Sequence, residues 1–232
     1  MKEIKIAGFR KTSLVDYTDH ISTVLFTQGC NCRCPYCHNP GLIPKEPEDQ
    51  DYMDLDYFWN FLEKRQHLLD GVVITGGEPT LQEGIFDFIQ NIKNRGLKVK
   101  LDTNGANFQI LQKLIKRNYI DYCAVDFKAS YQNYEQLTGK NITKSLKKCV
   151  NLVVNDDLDY EFRTTVVPGI HTEVEIKKIA ETIKGAEKYC IQNFRPKITL
   201  DSDFENKRQF PEEKLEKFKK IAGKFVKNVE IR

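Results

Sequence analysis

The 232-residue chain has no run of apolar residues near the roughly 18 that a membrane helix needs. Its opening, Met1-Lys-Glu-Ile-Lys-Ile, lacks the uninterrupted apolar core of a secretory signal, so a cytoplasmic protein without membrane contact is expected. Charge of one sign is also missing. Lys and Arg number 36 against 33 Asp and Glu, a net +3, which is too near balance to argue for a nucleic-acid partner. The Lys-rich stretch from Lys214 to Lys227 does not change this. Leu215, Phe218, Ile221 and Phe225 recur beside it at helical spacing and make it the wet face of an amphipathic helix. Internal repeats, Gly/Ser linkers and blocks of like charge are absent too. With 40% hydrophobic residues the chain is not disordered, and at this length it can bury a core without disulfides.

Cysteine is present but wrongly distributed for a disulfide framework. The count is odd, at seven, and four of them (Cys30, Cys32, Cys34 and Cys37) crowd into one short stretch. In a cytosolic chain such a cluster points to metal binding or catalysis. Cys123, Cys149 and Cys190 are scattered and read as small buried apolar residues. His20, His38, His67 and His171 have no metal-ligand spacing among them and read as structural or surface residues.

Apolar runs predict strands at Thr23–Thr27, Val72–Thr75, Lys98–Leu101, Tyr122–Phe127, Tyr160–Val166 and Tyr189–Asn193. Helical periodicity fills the gaps at Leu55–Leu69, Leu81–Arg95, Phe108–Arg117, Lys144–Val154 and Val174–Ala186. A last helix, Pro211–Val226, leads to a short strand, Asn228–Ile231. The alternation argues for parallel strands joined by helical crossovers. Six such units fall short of the eight of a closed barrel. The expected fold is therefore α/β, a partial (β/α)6 TIM-like barrel with short N- and C-terminal additions. A doubly wound open sheet fits the same periodicity. One domain is expected over residues 1–232, with its core at about 20–196 and a C-terminal helix and strand within 211–231. The longest irregular stretch, Gln28 to Asp54, holds the Cys cluster and then Pro40, Pro44 and Pro47. A loop of that length in a compact domain is usually functional or mobile.

Both candidate folds place active sites beyond the C-terminal ends of the strands. Those ends carry unusual polar residues: the Cys loop, Gly76-Gly77-Glu78-Pro79, Asp102-Thr103-Asn104-Gly105, Asp126-Phe127-Lys128, and Arg163 followed by Pro168-Gly169. The Cys loop has three readings. Cys34-Pro35-Tyr36-Cys37 is a C-x-x-C dithiol. The four cysteines with His38 are a zinc set. Cys30, Cys34 and Cys37 form C-x3-C-x2-C, three soft thiolates that suit three corners of a [4Fe–4S] cluster and leave one iron open. A dithiol site has no use for Cys30, and structural zinc usually takes two well-separated ligand pairs, so the residues favour the cluster over a zinc-binding or thiol-redox adaptor.

C-x3-C-x2-C with an aromatic residue before its last Cys, together with Gly76-Gly77-Glu78-Pro79, resembles the radical S-adenosylmethionine (SAM) superfamily. Leu101-Asp102-Thr103-Asn104-Gly105, Asp126-Phe127-Lys128 and Val166-Val167-Pro168-Gly169 resemble segments of glycyl-radical-enzyme activating enzymes of the pyruvate formate-lyase type. Gly8-Phe9, Ser13-Leu14-Val15-Asp16-Tyr17 and Phe26-Thr27-Gln28-Gly29-Cys30 resemble the longer type of anaerobic ribonucleoside-triphosphate reductase activating protein more closely. The resemblance runs to about Pro196 and fades where the chain continues Gln192-Asn193-Phe194-Arg195.

The resemblance implies an oxygen-sensitive oxidoreductase that cleaves SAM reductively and installs a glycyl radical on a partner, here an anaerobic ribonucleotide reductase. It implies a low-potential electron donor such as flavodoxin or ferredoxin. Cys30, Cys34 and Cys37 would hold the cluster, and Cys32 would stay out of it. Tyr36 would lie near the adenine, with loop packing as its plainer role. Gly76 and Gly77 would bring backbone close to the ligand, and Glu78 would place the ammonium group or cap a helix. Asp102 and Asn104, two apart and so on one face, would meet the ribose or amine. Asp126 and Lys128 share a face by the same rule, with Lys128 meeting a ligand carboxylate or the two forming an internal ion pair. Arg163 would pair with a carboxylate or with the neighbours of Glu161. Another glycyl-radical enzyme, or a small molecule such as a deazapurine precursor, is the alternative substrate.

Overall fold

The computed structural model describes residues 4–46 and 52–232. Pro47 and the rest of the irregular stretch up to Asp51 lie outside the described residues. The described chain forms two compact units. The first draws on Met1–Asn31, Gly41–Thr103 and Asn107–Cys123, and the second on Cys32–Pro40, Asn104–Ala106 and Ala124–Arg232.

In the first unit, β1 (Ile6–Ser13) pairs antiparallel with β2 (Ser22–Thr27). α1 (Leu55–Arg65), β3 (Gly71–Gly76), α2 (Ile85–Lys93), β4 (Lys98–Thr103) and α3 (Phe108–Lys116) follow in right alternation. β2, β3 and β4 are parallel, with Leu25 opposite Ile74 and Ile74 opposite Leu101. Val72, Val73 and Ile74 are all fully buried, the continuous apolar run expected of a parallel strand covered on both faces. α2 turns Ile85, Phe88, Ile89 and Ile92 inward at helical spacing.

The second unit takes in most of β5 (Tyr122–Asp126), then α4 (Tyr134–Thr138), α5 (Thr143–Val154), β6 (Asp159–Val166) and α6 (Glu173–Thr182). β7 (Lys188–Asn193), α7 (Glu212–Ala222) and β8 (Asn228–Ile231) complete it. Strands run β5-β6-β7-β8, with Arg163 opposite Cys190 and Tyr189 opposite Val229 in parallel ladders. Phe127, Tyr134, Phe162, Ile179, Tyr189 and Phe218 fill its core.

The class is thus α/β with parallel strands. β2 to β7 are the six predicted strands, and β1 and α7–β8 are the terminal additions. The predicted helix from Leu81 starts later, at Ile85, because Pro79–Leu81 is a 3-10 turn capped by Glu78. The predicted helix to Leu69 ends at Arg65 and relaxes into a 3-10 turn. Two elements had no strong period. β1 carries Gly8, Arg10 and Lys11 and has a neighbour on one side only, and α4 is five residues long. Among the described residues no helix is long and apolar enough to cross a membrane.

Candidate active site

The first unit contributes Cys30, Gly76, Gly77, Glu78 and Asp102. Cys30 is half-buried at the end of β2, with its N–H donating to the Ile43 carbonyl at 3.0 Å. Before it, the buried Gln28 amide donates to the Gly41 and Pro44 carbonyls at 2.8 and 2.7 Å. The two glycines have a steric reason. Gly76 sits at φ 111°, and a Cβ on it would strike the Thr27 backbone. A Cβ on Gly77 would fall inside contact distance of the Gly29 carbonyl. The close neighbour is therefore the chain's own strand end. Gly77 N–H donates to Thr27 O at 2.9 Å and Glu78 N–H to Gly29 O at 2.8 Å.

Glu78 is fully buried. Its Oε1 accepts from Thr80 N at 3.1 Å, Thr80 Oγ1 at 2.5 Å and Thr103 Oγ1 at 2.7 Å. The structure thus shows the capping role for Glu78 and ties the β3 and β4 ends together through it. Asp102 lies on β4 with Oδ1 3.7 Å from the ammonium of Lys100. Lys100 is itself only 4% exposed, donates to Asp16 O at 2.5 Å and lies over the Tyr122 ring.

The second unit contributes Cys34, Tyr36, Cys37, Asn104, Asp126, Lys128 and Arg163. Cys32 and Cys34 are buried and Cys37 is half-buried. Cys34-Pro35-Tyr36-Cys37 is a turn closed by Cys37 N–H donating to Cys34 O at 3.0 Å. Arg33 N–H donates to Thr138 O at 2.7 Å and Asp201 N–H to Pro35 O at 2.9 Å, which fixes both sides of the turn. Tyr36 is packed among His171, Phe194 and Phe204. Asn104 is buried; its Nδ2 points at Cys32 Sγ, 3.6 Å away, and its Oδ1 accepts from Ala106 N at 2.9 Å.

Asp126 stands between two cations. Lys128 Nζ is 3.2 Å from one carboxylate oxygen, and Arg163 Nε and a terminal nitrogen are each 2.9 Å from the other. Burial pushes the Asp126 carboxyl up, but Arg163 and Lys128 outweigh it and hold it at about 2. Burial works against the charged form of Lys128 as well, and Asp126 outweighs it, so the ammonium stays charged well above its ordinary range. The predicted pair is an ion triad, and Arg163 has the carboxylate partner expected of it.

Two residues carry local structure that the motifs did not reveal. His171, 2% exposed, accepts the Val167 N–H at Nδ1 (3.0 Å) and meets the Lys128 carbonyl with Nε2 (2.9 Å). Glu175, 5% exposed, accepts from Ser130 N, Ser130 Oγ and Asn133 Nδ2 at 2.6, 3.1 and 2.8 Å. The sequence signal for Glu175 was the Thr172-x-x-Glu175 capping pattern; Thr172 Oγ1 does accept the Glu175 N–H.

Among the described residues no three His, Cys, Asp or Glu side chains converge as a ready metal set, so the ligand role of Cys30, Cys34 and Cys37 rests on the sequence. The donor chemistry fits an iron–sulfur cluster: Cys30, Cys34 and Cys37 bring three soft thiols at C-x3-C-x2-C spacing. The second unit also fits a polar ligand. The buried hydroxyls of Tyr36 and Tyr134 have no hydrogen-bond partner among the described residues, and both feel the Lys128 charge.

The profile of the Radical SAM superfamily matches residues 24–183. A protein of Methanocaldococcus jannaschii named for glycyl-radical enzyme activation is 34% identical over 98% of this chain and 95% of its own length. The pyruvate formate-lyase-activating enzyme of Clostridium pasteurianum is 29% identical over 78% of this chain and 76% of its own. Among solved structures, SuiB of Streptococcus suis with its precursor peptide SuiA superposes at a TM-score of 0.66 and 13% identity. That likeness covers 90% of this chain, which spans about half of SuiB (48%), and it shows the fold. SuiB is also known with SAM bound. The family implies a [4Fe–4S] cluster and SAM as cofactors. The chain belongs to the radical SAM superfamily and, within it, to the glycyl-radical enzyme activating enzymes.

Proposed function

We propose that this protein cleaves SAM reductively and installs a glycyl radical on an anaerobic ribonucleoside-triphosphate reductase. The observation that carries the reading is the Cys30-x3-Cys34-x2-Cys37 loop whose leading residue, Gly29, accepts the backbone N–H of Glu78 from the Gly76-Gly77-Glu78-Pro79 turn. When bound, a [4Fe–4S] cluster supplies the electron that breaks the sulfonium and leaves a 5′-deoxyadenosyl radical.

The chain's own residues bind and orient. Cys30, Cys34 and Cys37 would hold the cluster as thiolates. Cys32, with Asn104 Nδ2 at its sulfur, would stay out of the set. Lys128 meets the SAM carboxylate, Asp126 fixes its ammonium in place and keeps it charged, and Arg163 holds Asp126 by its other oxygen. Asp102 and Asn104 serve the ribose and amine, and Tyr36 walls the adenine side. Gly76 and Gly77 let the turn pack against the end of β2 and so set the backbone beside the ligand, and Glu78 caps that turn.

The reductase is the favoured partner on the opening segment, Gly8-Phe9 through Cys30. Flavodoxin or ferredoxin is the proposed electron donor, and the cytoplasm the proposed location. The test is to mix the anaerobically reconstituted, reduced protein with SAM and such a reductase and record the glycyl radical by electron paramagnetic resonance. A radical on the reductase glycine is expected. A radical formed only on a different glycyl-radical enzyme, or none with SAM turnover coupled to a small molecule, would overturn the partner.

A further inference from the structure

We infer that His171 is a positioning residue for Lys128: it holds the backbone of the segment that carries the ammonium. The inference rests on the proposed role of Lys128 toward SAM. The hydrogen bonds assign the tautomer. Val167 N–H can only donate, so Nδ1 of His171 must be the acceptor, at 3.0 Å. The ring proton is therefore on Nε2, which donates to the Lys128 carbonyl at 2.9 Å. One neutral imidazole thus spans from the turn after β6 to the residue two past the end of β5. The site is dry, with His171 only 2% exposed, and burial keeps the ring neutral.

A second anchor acts two residues downstream of Lys128. The Glu175 carboxylate, in the first turn of α6, holds Ser130 N and Oγ and Asn133 Nδ2. The Asp126 carboxylate fixes only the tip of Lys128. His171 fixes its main chain, so the ammonium is held from both ends. A side chain as long as lysine has many rotamers, and fixing its root removes much of the freedom that would otherwise be lost on ligand binding.

Two substitutions separate positioning from plain packing. The Oδ1 of His171→Asn reaches the place of Nδ1 and keeps the Val167 bond, but nothing reaches the Lys128 carbonyl. The Nε2 of His171→Gln reaches the place of the ring Nε2 and keeps that bond. SAM affinity of the anaerobic, cluster-loaded protein is measured by equilibrium dialysis. It should fall about tenfold in His171→Asn, as for one lost hydrogen bond, and stay within about threefold of the parent in His171→Gln. Amide hydrogen exchange at residues 128–130, read without SAM, should quicken in the Asn variant and not in the Gln variant. Equal losses in both variants, in step with their melting temperatures, would overturn the inference. If the parent protein fails to bind SAM, the functional reading fails, and the exchange arm still decides the positioning role.

Discussion

The two units hold their candidate residues by different physics. In the first unit, the turn after β3 meets the end of β2 chiefly through main chain: two glycines, two backbone hydrogen bonds and a capped 3-10 turn, with the Gln82 amide donating to the Gln28 carbonyl at 2.6 Å beside them. In the second unit, the residues after β5 are held by charge and side chains: Asp126 between Lys128 and Arg163, with His171 and Glu175 behind. The first region tolerates no extra atom. The second tolerates changes of shape and should respond to charge. Each kind of order matches its proposed task. A cluster loop needs fixed backbone, and an anionic ligand group needs a fixed cation.

The comparison is broken most forcefully at Gly77. Gly77→Ala drives a methyl against the Gly29 carbonyl, a backbone atom that cannot give way cheaply. The expected cost is about 3 kcal/mol or more, with loss of iron loading, measured by denaturant melts and metal analysis. A melt at the parent midpoint would show that the two main-chain segments are not locked.

Asp126→Asn comes next. It leaves two cations facing a neutral amide and should cost about 2–3 kcal/mol, discounted for partial exposure of the group. The acid limb of the stability profile should also change. With the folded carboxyl at about 2 and the unfolded one near 3.9, the stabilisation is complete above the unfolded value and is lost as pH falls toward about 2. The Asn variant should lack that component, whereas Gly77→Ala should keep it.

The smallest effect belongs to His171. Burial lowers its pKa, so above the ordinary histidine value near 6.5 both folded and unfolded rings are neutral. As pH falls below that value the unfolded ring takes a proton first, and stability declines until the folded ring protonates. Half-buried His38 is lowered in the same direction and adds to the slope. His171→Gln should flatten part of the decline, by less than about 1 kcal/mol, in melts between pH 7 and 5. An unchanged slope would assign the decline to other groups.

The sequence made the alternation of strands and helices legible because parallel strands buried on both faces read as apolar runs between amphipathic helices, as Val72–Ile74 and Ile85–Ile92 do. β1 escaped because a strand with one neighbour keeps Arg10 and Lys11 in solvent. The charged pair at Asp126 and Lys128 was visible from its two-residue spacing in an apolar setting. Arg163 was expected to pair with a carboxylate, but that the carboxylate is Asp126 was not legible, because Arg163 comes from another strand and only the fold brings the two together. The glycine pair was legible as a turn, but its reason was not. No pattern tells that the atom excluding a side chain at Gly77 is the Gly29 carbonyl. His171 read only as a structural or surface residue; its partners are backbone groups, which leave no mark in a sequence.

The central claim is that three of the four clustered cysteines build the reactive centre and the fourth does not. The most direct measurement is 5′-deoxyadenosine formed from SAM by anaerobically reconstituted, reduced protein, with Cys30→Ala and Cys32→Ala beside the parent. Product is expected from the parent and from Cys32→Ala and none from Cys30→Ala. Product lost equally in both variants, or an iron-free parent that retains zinc, would contradict that claim.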